Sequence, residues 1–323
     1  MPSTALRAQR VQSVSRLPSL RQLGYLVSLA ETLNFTQAAQ ACHVTQSTLS
    51  GGIQELERQL DARLVERDRQ QVRMTPAGSA VVRRAHMLLS MAHDLLEEAQ
   101  AASDPMSGLI RLGAIPTVAP FLLPVMLRTS RERHPALRIA LREDTSAKLL
   151  DQIREGQLDF ALIALPYELG DLLSRRLFDE ELWLIASEGD PVAKMPRPRI
   201  GQLDTDRMLL LEEGHCLRSH TLAGCGLTER ANPSGIEASS VTTLVQMVEE
   251  GLGYALLPEM AIRAGLLNGS SVIARPIGSP APRRTLALIA RTTTARIEAF
   301  TALADIAMQT AHNPTKPRRR RSE

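Results

Sequence analysis

Two thiols nine positions apart, Cys216 and Cys225, lie in the stretch Leu211-Glu-Glu-Gly-His-Cys-Leu-Arg218 and its continuation Ser-His-Thr-Leu-Ala-Gly-Cys225. His215, Arg218 and His220 neighbour the first thiol in sequence. Thiolate is the reactive form of cysteine, and nearby cationic or hydrogen-bond-donating groups lower its pKa from about 8.5. A low-pKa, partly exposed thiol with a resolving partner is the pattern of a redox sensor. Attack of Cys216 on a peroxide would leave a sulfenic acid, and Cys225 could condense with it to a disulfide. On a regular helix nine residues span about 13 Å, whereas a disulfide needs Cα atoms within about 7 Å. If this segment is helical when reduced, closing the bond must refold it, and Gly224 and Gly226 ease that refolding. A chemical bond would then become a conformational change. Spacing alone leaves the ordinary alternative open, in which both cysteines are small buried hydrophobes.

Three cysteines in the whole chain make neither a disulfide framework nor a zinc site of four thiolates. No metal and no cofactor is expected. Cys42 reads as a packed core thiol without redox function, and Trp183 as a core residue of a strand.

Three regions must position these groups. The first, 17–75, is mostly helical and then Arg-rich. The second, 76–103, reads as one long helix with Pro76 in its first turn. Its apolar positions Val81, Ala85, Leu88, Ala92, Leu95 and Ala99 recur in steps of four and three, a heptad seam suited to dimerisation. Asp104-Pro105 and Ser107-Gly108 mark a hinge. The third, 109–312, alternates short apolar runs with helical stretches. Strands are expected at Leu109–Ile115, Leu137–Arg142, Phe160–Leu165, Leu182–Ala186, Met208–Leu211, Tyr254–Leu257 and Thr285–Ala290, with helices such as Ala147–Glu155 and Val241–Glu250 between them. Such alternation argues for an α/β domain with mostly parallel sheets. Segments near Leu177–Ile185 and Thr285–Ala290 are candidate crossovers between two lobes with a cleft between them.

In the first region, Phe35-Thr-Gln-Ala-Ala39 and Val44-Thr-Gln-Ser-Thr-Leu-Ser50 read as two short helices joined by a tight turn. Thr36 is expected to cap the first and Thr45 the second, with Val44, Ile53 and Leu56 buried. The opposite face carries Gln46, Ser47, Ser50 and Gln54, short polar groups suited to base edges and phosphates in a major groove. Seven arginines against three acids follow between Arg58 and Arg84. Arg63, Arg67, Arg69 and Arg73 fall where a wing would approach the DNA backbone.

The chain has 323 residues, 44% of them apolar and 23% charged, with a net charge of +3. Residues 313–323 hold Lys316 and Arg318 to Arg321 against Glu323, so the rest of the chain carries one net negative charge. That tail reads as a basic, disordered, solvated end, able at most to make a weak, salt-sensitive contact with DNA phosphates. No apolar run reaches the ~20 residues needed to span a bilayer, and the first seventeen do not read as a secretory signal. The expected compartment is the cytoplasm, with no membrane partner.

The run Phe35 to Ser50, with Ile53-Gln-Glu-Leu-Glu57, Leu64-Val-Glu-Arg67 and Thr75-Pro-Ala-Gly78, strongly resembles the amino-terminal signature of LysR-type transcriptional regulators. Gly156-Gln-Leu-Asp-Phe-Ala-Leu-Ile163 and Gly251-Leu-Gly-Tyr-Ala-Leu-Leu-Pro258 resemble the same family. The resemblance implies a winged helix-turn-helix domain that binds double-stranded DNA, a linker helix, and a two-lobed sensing domain shaped like periplasmic binding proteins. It also implies a homodimer, often a dimer of dimers, that works with RNA polymerase. Gly214-His-Cys-Leu-Arg218 with a second cysteine nine positions on is similar to the peroxide-sensing subgroup known as OxyR. Ala114-Ile-Pro-Thr-Val-Ala-Pro-Phe-Leu-Leu-Pro124 and Pro282-Arg-Arg-Thr285 are similar to it too. By that resemblance Cys216 is the peroxidatic thiol and Cys225 the resolving one, reset by a thiol reductant. His215, Thr117 and Arg284 match positions that hold peroxide or polarise the site, and Ser146 stands where the subgroup often has Thr. Ser219 replaces a common acidic residue, and Gly224 and Gly226 flank the resolving thiol where phenylalanine is frequent. The implied function is a peroxide-responsive regulator, probing its environment through a disulfide and activating antioxidant genes.

Three rivals stand beside it. A regulator that binds a small organic effector in the cleft would leave the cysteines incidental. A thiol peroxidase would have no use for the DNA-binding end, so an enzyme is not expected. A periplasmic receptor would need the signal peptide that the sequence does not show.

Overall fold

The computed structural model describes residues 17–67, 71–101, 105–228 and 234–312, which fall into two compact units. The first begins with helices α1 (Leu20–Thr32), α2 (Phe35–Ala41) and α3 (Gln46–Leu60), followed by strands β1 (Val65–Arg67) and β2 (Val72–Met74) and by helix α4 (Pro76–Ala101). Leu26, Leu29, Ala38, Leu49, Ile53 and Leu56 are buried together, and Cys42 and Val44 pack against them. Thr45 caps α3, accepting from the Thr48 N–H at 3.2 Å. The cap of α2 is Asn34, not Thr36: its side-chain oxygen takes the N–H groups of Thr36 and Gln37, because an Asn just outside the helix reaches both.

The antiparallel β1–β2 hairpin is tied down from both sides. The Glu57 carboxylate accepts from the Leu64 and Val65 N–H groups at 2.8 and 3.1 Å. Thr75 donates to Arg63 O at 2.7 Å and accepts from the Gly78 N–H at 2.9 Å. A Cβ at Gly78 would stand 2.0 Å from Leu64 O, so the Thr75-Pro-Ala-Gly78 turn needs its glycine for close approach. The seam expected along α4 divides. Ala85 is buried in this unit's own core with Val81 packed against it, whereas Leu88, Met91, Leu95 and Leu96 are exposed.

The second unit holds β3 (Gly108–Ala114), α5 (Ala119–Arg133), β4 (Leu137–Glu143), α6 (Ser146–Arg154), β5 (Phe160–Leu165), β6 (Leu173–Ser187) and β7 (Leu210–Leu211). It continues with α7 (Cys216–Gly224), β8 (Glu237–Ala238), α8 (Val241–Glu249), β9 (Ala255–Pro258), α9 (Glu259–Arg263), β10 (Val272–Pro276), β11 (Arg283–Ala290) and α10 (Ile297–His312). Two apolar clusters make two lobes. One gathers β3, β5 and β11 with α5, α6 and α10, and the other gathers the second half of β6 with β9, α8 and the buried face of α7.

The fifteen-residue strand β6 serves both lobes. Its first part pairs with β11 and its second with β9 and β10. The sheets are mixed rather than mostly parallel. β3 runs parallel to β4 and β5, but every pairing of β6 and β11 is antiparallel, because these strands return the chain across the lobe boundary. α5 begins with Pro120 in its first turn, where a missing N–H does no harm, and carries Pro124 inside. Among the described residues, no helix is long and apolar enough to cross a membrane.

Candidate redox site and nucleic-acid interface

Cys216 opens α7. Its helix buries Leu217 and Leu222 in the second lobe, yet Cys216 itself packs in the apolar cluster of the first. The thiol therefore sits where the two lobes meet. Three side chains from distant elements face it. Arg284 on β11 is fully buried and donates from Nη1 to Thr117 Oγ1 at 2.8 Å and from Nη2 to Thr117 O at 3.2 Å. A hydroxyl that accepts from a guanidinium keeps its own proton to donate, and Thr117 directs it at the Cys216 sulfur. Ser146, the first residue of α6, is also fully buried and faces the sulfur, but its Oγ makes no regular hydrogen bond within the protein.

These groups compete. Burial pushes the Cys216 thiol above its ordinary value, while the Arg284 charge and the Ser146 and Thr117 hydroxyls pull it down. Burial wins, so the low resting pKa expected from the sequence neighbours is not what this geometry gives. Nor do those neighbours supply the cation. Arg218 turns away, donating to Leu211 O at 3.1 Å and pairing with Glu237 at 2.7 Å. His220, one turn after Cys216, is buried and its pKa falls to about 4, through desolvation first and then the charge of Arg284. His215, at the N-cap of α7, is lowered by desolvation against an opposing push from Glu212, and its side chain caps nothing. The nearby cation is Arg284, sixty-eight positions on in sequence.

Two residues at this site escaped the sequence reading, and the role of a third was misread. Glu180 on β6 pairs with Arg284 at 2.8 Å, both side chains being buried. Tyr167, in the loop after β5, has its hydroxyl pKa raised, by desolvation first and then by Cys216 in its thiolate form. His220 appeared only as a possible cation. Glu180 is one of three consecutive acids, Asp179, Glu180 and Glu181, a run that in sequence reads as a solvated face.

Cys225 caps the other end of α7, and both thiols are free. Desolvation pushes Cys225 up to about 11. The helical segment separates the two Cα atoms by about 13 Å of rise. The glycines do the opposite of easing a refolding step. Gly226, at φ +68°, closes a Schellman cap: Leu227 N–H donates to Leu222 O at 2.8 Å and Gly226 N–H to Ala223 O at 3.2 Å. Gly224 lets α7 lie against Pro282, where a Cβ would meet the ring at 2.7 Å. Both stabilise the helix seen here.

In the first unit, Thr36 on α2 is exposed, and Gln46, Ser47 and Gln54 are exposed and Ser50 is half-buried on the α3 face opposite Leu49, Ile53 and Leu56. Thr36 Oγ1 donates to Gln46 Oε1 at 3.4 Å, joining the two helices. Arg73 on β2 is exposed and pairs in register with Glu66, its guanidinium resting on Gln71. Arg67 belongs to β1, whereas Arg69 and the tail 313–323 lie outside the described residues. A shallow depression of about 390 Å³ on α5, lined by Pro124, Leu127, Arg128, Arg131 and Glu132, shares no residue with the thiol site. Among the described residues, no group of three or more His, Cys, Asp or Glu could hold a metal ion.

Comparison with known proteins gives the same two halves. Residues 20–79 match the family described as bacterial regulatory helix-turn-helix protein, lysR family, and residues 103–311 match the LysR substrate binding domain. The HTH-type transcriptional regulator EstR of Acinetobacter baylyi is 45% identical over 294 residues, 91% of this chain and 97% of that protein. The DNA-binding transcriptional dual regulator OxyR of Escherichia coli is 37% identical over 273 residues, 84% of this chain and 89% of that protein. A full-length OxyR from Pseudomonas aeruginosa, with a cysteine replaced by aspartate, superposes with TM-score 0.75 at 33% identity, covering 90% of this chain and 98% of that one.

Proposed function

The chain belongs to the LysR family of DNA-binding transcription regulators, which are not enzymes, and from that premise we propose that it senses hydrogen peroxide. The observation that carries the reading is the convergence on Cys216 of Arg284, Thr117 and Ser146 from three separate elements, with the buried Ser146 hydroxyl left no partner but the thiol itself. Buried polar groups almost always find partners. Ser146 Oγ beside a thiol therefore suits a small hydrogen-bonding guest such as peroxide. The thiolate attacks one peroxide oxygen, the O–O bond breaks, and the sulfur is oxidised to a sulfenic acid while hydroxide leaves. Arg284 and the proton of Thr117 stabilise the charge that develops. Cys225 then displaces water from the sulfenic acid to form the disulfide. Cys225 is held as an inert thiol by its burial until the segment refolds, so the chemistry and the conformational change are obligatorily coupled.

The recognition helix is α3, reading DNA through Gln46, Ser47, Ser50 and Gln54, while Thr36, Arg67, Arg69 and Arg73 position it on the backbone. The exposed apolar stripe of α4, with Leu88, Met91 and Leu95, supports a homodimer. A dimer of dimers, work with RNA polymerase to activate antioxidant genes, reset by a thiol reductant and a cytoplasmic setting belong to the same proposal.

The test is Cys216→Ser. Peroxide-dependent transcription is expected to vanish while DNA affinity stays within a few-fold; an undiminished peroxide response refutes the mechanism. EstR, more similar in sequence than OxyR, is named as a regulator with no mention of peroxide, so a second reading stands beside the first: an organic effector bound between the lobes with both thiols as bystanders. A Cys216→Ser protein still activated by an organic acid, with the wild type indifferent to peroxide, selects that reading.

A further inference from the structure

Arg284 reaches the thiol site only because something else holds it. Its Nε donates to Glu180 Oε2 at 2.8 Å, and the other oxygen of the same carboxylate accepts from the Met260 backbone N–H at 2.7 Å. Glu180 thus fixes the guanidinium from one side while Thr117 takes it from the other, and all three are nearly fully buried. Glu180 also stands on β6 where that strand passes between lobes: Arg284 and Glu180 are in register, and two residues later Leu182 pairs with Pro258 of the second lobe. A carboxylate on a buried guanidinium shares its charge, so less of the field is left for a third group on the far side.

We infer that Glu180 is the positioning residue of the thiol site: it aims Arg284 at Thr117 and Cys216, and by sharing the guanidinium charge it sets how much thiolate the resting protein holds. The inference rests on the proposed reading of Cys216 as the reactive thiol. On this account Glu180 adds to the burial that already holds the thiol protonated beside an arginine.

The groups around Cys216 that carry or exchange protons are Arg284 on β11, Glu180 behind it on β6, Tyr167 after β5, and His215 and His220 at the start of α7 and one turn on. His220, lowered to about 4, and His215, also lowered by desolvation, are neutral through the neutral and alkaline range, and Tyr167 titrates above its ordinary value, so neither histidine adds a titration of its own to the alkaline limb on which the raised thiol is read.

The experiment follows alkylation of Cys216 by iodoacetamide against pH in the full-length reduced protein, reading the tryptic peptide 208–218 by mass spectrometry. Glu180→Gln keeps the size and an acceptor for Arg284 Nε but removes the charge. Its alkylation midpoint should fall by about one pH unit, about tenfold more thiolate on the acid side of the midpoint. Glu180→Asp keeps the charge and disturbs the packing, and its midpoint should stay where the wild type has it. A Glu180→Gln midpoint that is unmoved or higher overturns the inference, as does an equal fall in Glu180→Asp. If Glu180→Gln does not accumulate folded, Glu180→Asp decides alone: an unmoved midpoint supports the charge account and a lowered one overturns it. Alkylation needs no peroxide. A shifted midpoint in a protein that forms no disulfide with peroxide would sink the peroxide reading and leave Glu180 in place.

Discussion

Gly226→Ala should make the Cys216–Cys225 disulfide harder to reduce. In the reduced form Gly226 sits at φ +68°, closing the cap of α7. A Cβ there would meet no atom within 4 Å, so the substitution adds backbone strain and no clash. A left-handed conformation costs an L-residue about 1–2 kcal/mol. In the oxidised form Cys225 must lie within about 7 Å of Cys216, which the capped helix does not permit, so position 226 is released and the strain disappears. The penalty falls on the reduced state alone. At about 30 mV for 1.4 kcal/mol in a two-electron couple, the midpoint potential should become more negative by roughly 20–40 mV. The assay equilibrates the protein with dithiothreitol buffers of known potential, traps free thiols and quantifies the linked peptide. Gly226→Asn, which tolerates this backbone region better, should shift less than Ala. An unchanged or less negative potential for Gly226→Ala would mean that the α7 cap survives oxidation, and the refolding argument would fail.

Two further outcomes follow from the same geometry. His220 has a folded pKa of about 4 against an ordinary 6.5, so between those values the unfolded chain binds the proton and the folded one does not. Stability is then fully present above pH 6.5 and lost as pH falls toward 4, by an amount on the order of 3 kcal/mol; chemical denaturation at a series of pH values should show the slope, and His220→Gln should flatten it. A slope unchanged in His220→Gln would assign the acid lability elsewhere. Arg73→Ala should weaken DNA binding by a similar factor on every sequence and reduce the slope of log affinity against log salt by about one. Fluorescence anisotropy over a salt series measures both, and a loss confined to particular base pairs would give Arg73 a different role.

The local signals in the sequence carried the helical hairpin well. Small Ala38 and Ala39, Val44 in the turn and buried Ile53 and Leu56 all take the places their periodicity indicates. The first cap was misplaced by two residues, because Asn34 and Thr36 are both good cap residues and only backbone geometry chooses between them. Strand positions were legible from apolar runs, but strand direction was not: β6 and β11 look like any buried strand, and their antiparallel pairing follows from the lobe crossing alone. Resemblance joined Thr117, Ser146, Arg284 and Cys216, and those side chains do meet across 167 residues of chain. The acidity of the thiol was misjudged for a physical reason. Sequence neighbours on a helix point in different directions, so Arg218 serves Glu237 while the effective cation comes from another strand. Glu180 was invisible because its importance lies in its burial and its partner, which three adjacent acids conceal.

The central claim, that peroxide links two thiols which the reduced fold holds a helix apart, is tested most directly by peptide mapping. Trypsin cuts after Arg218, between the two cysteines. The reduced protein is treated with about one equivalent of hydrogen peroxide, its free thiols are alkylated, and it is digested without reductant. The account predicts peptide 208–218 disulfide-linked to 219–230, with Cys42 alkylated. Separate alkylated peptides for Cys216 and Cys225 would contradict it, leaving a LysR-family regulator whose signal must be sought between its lobes.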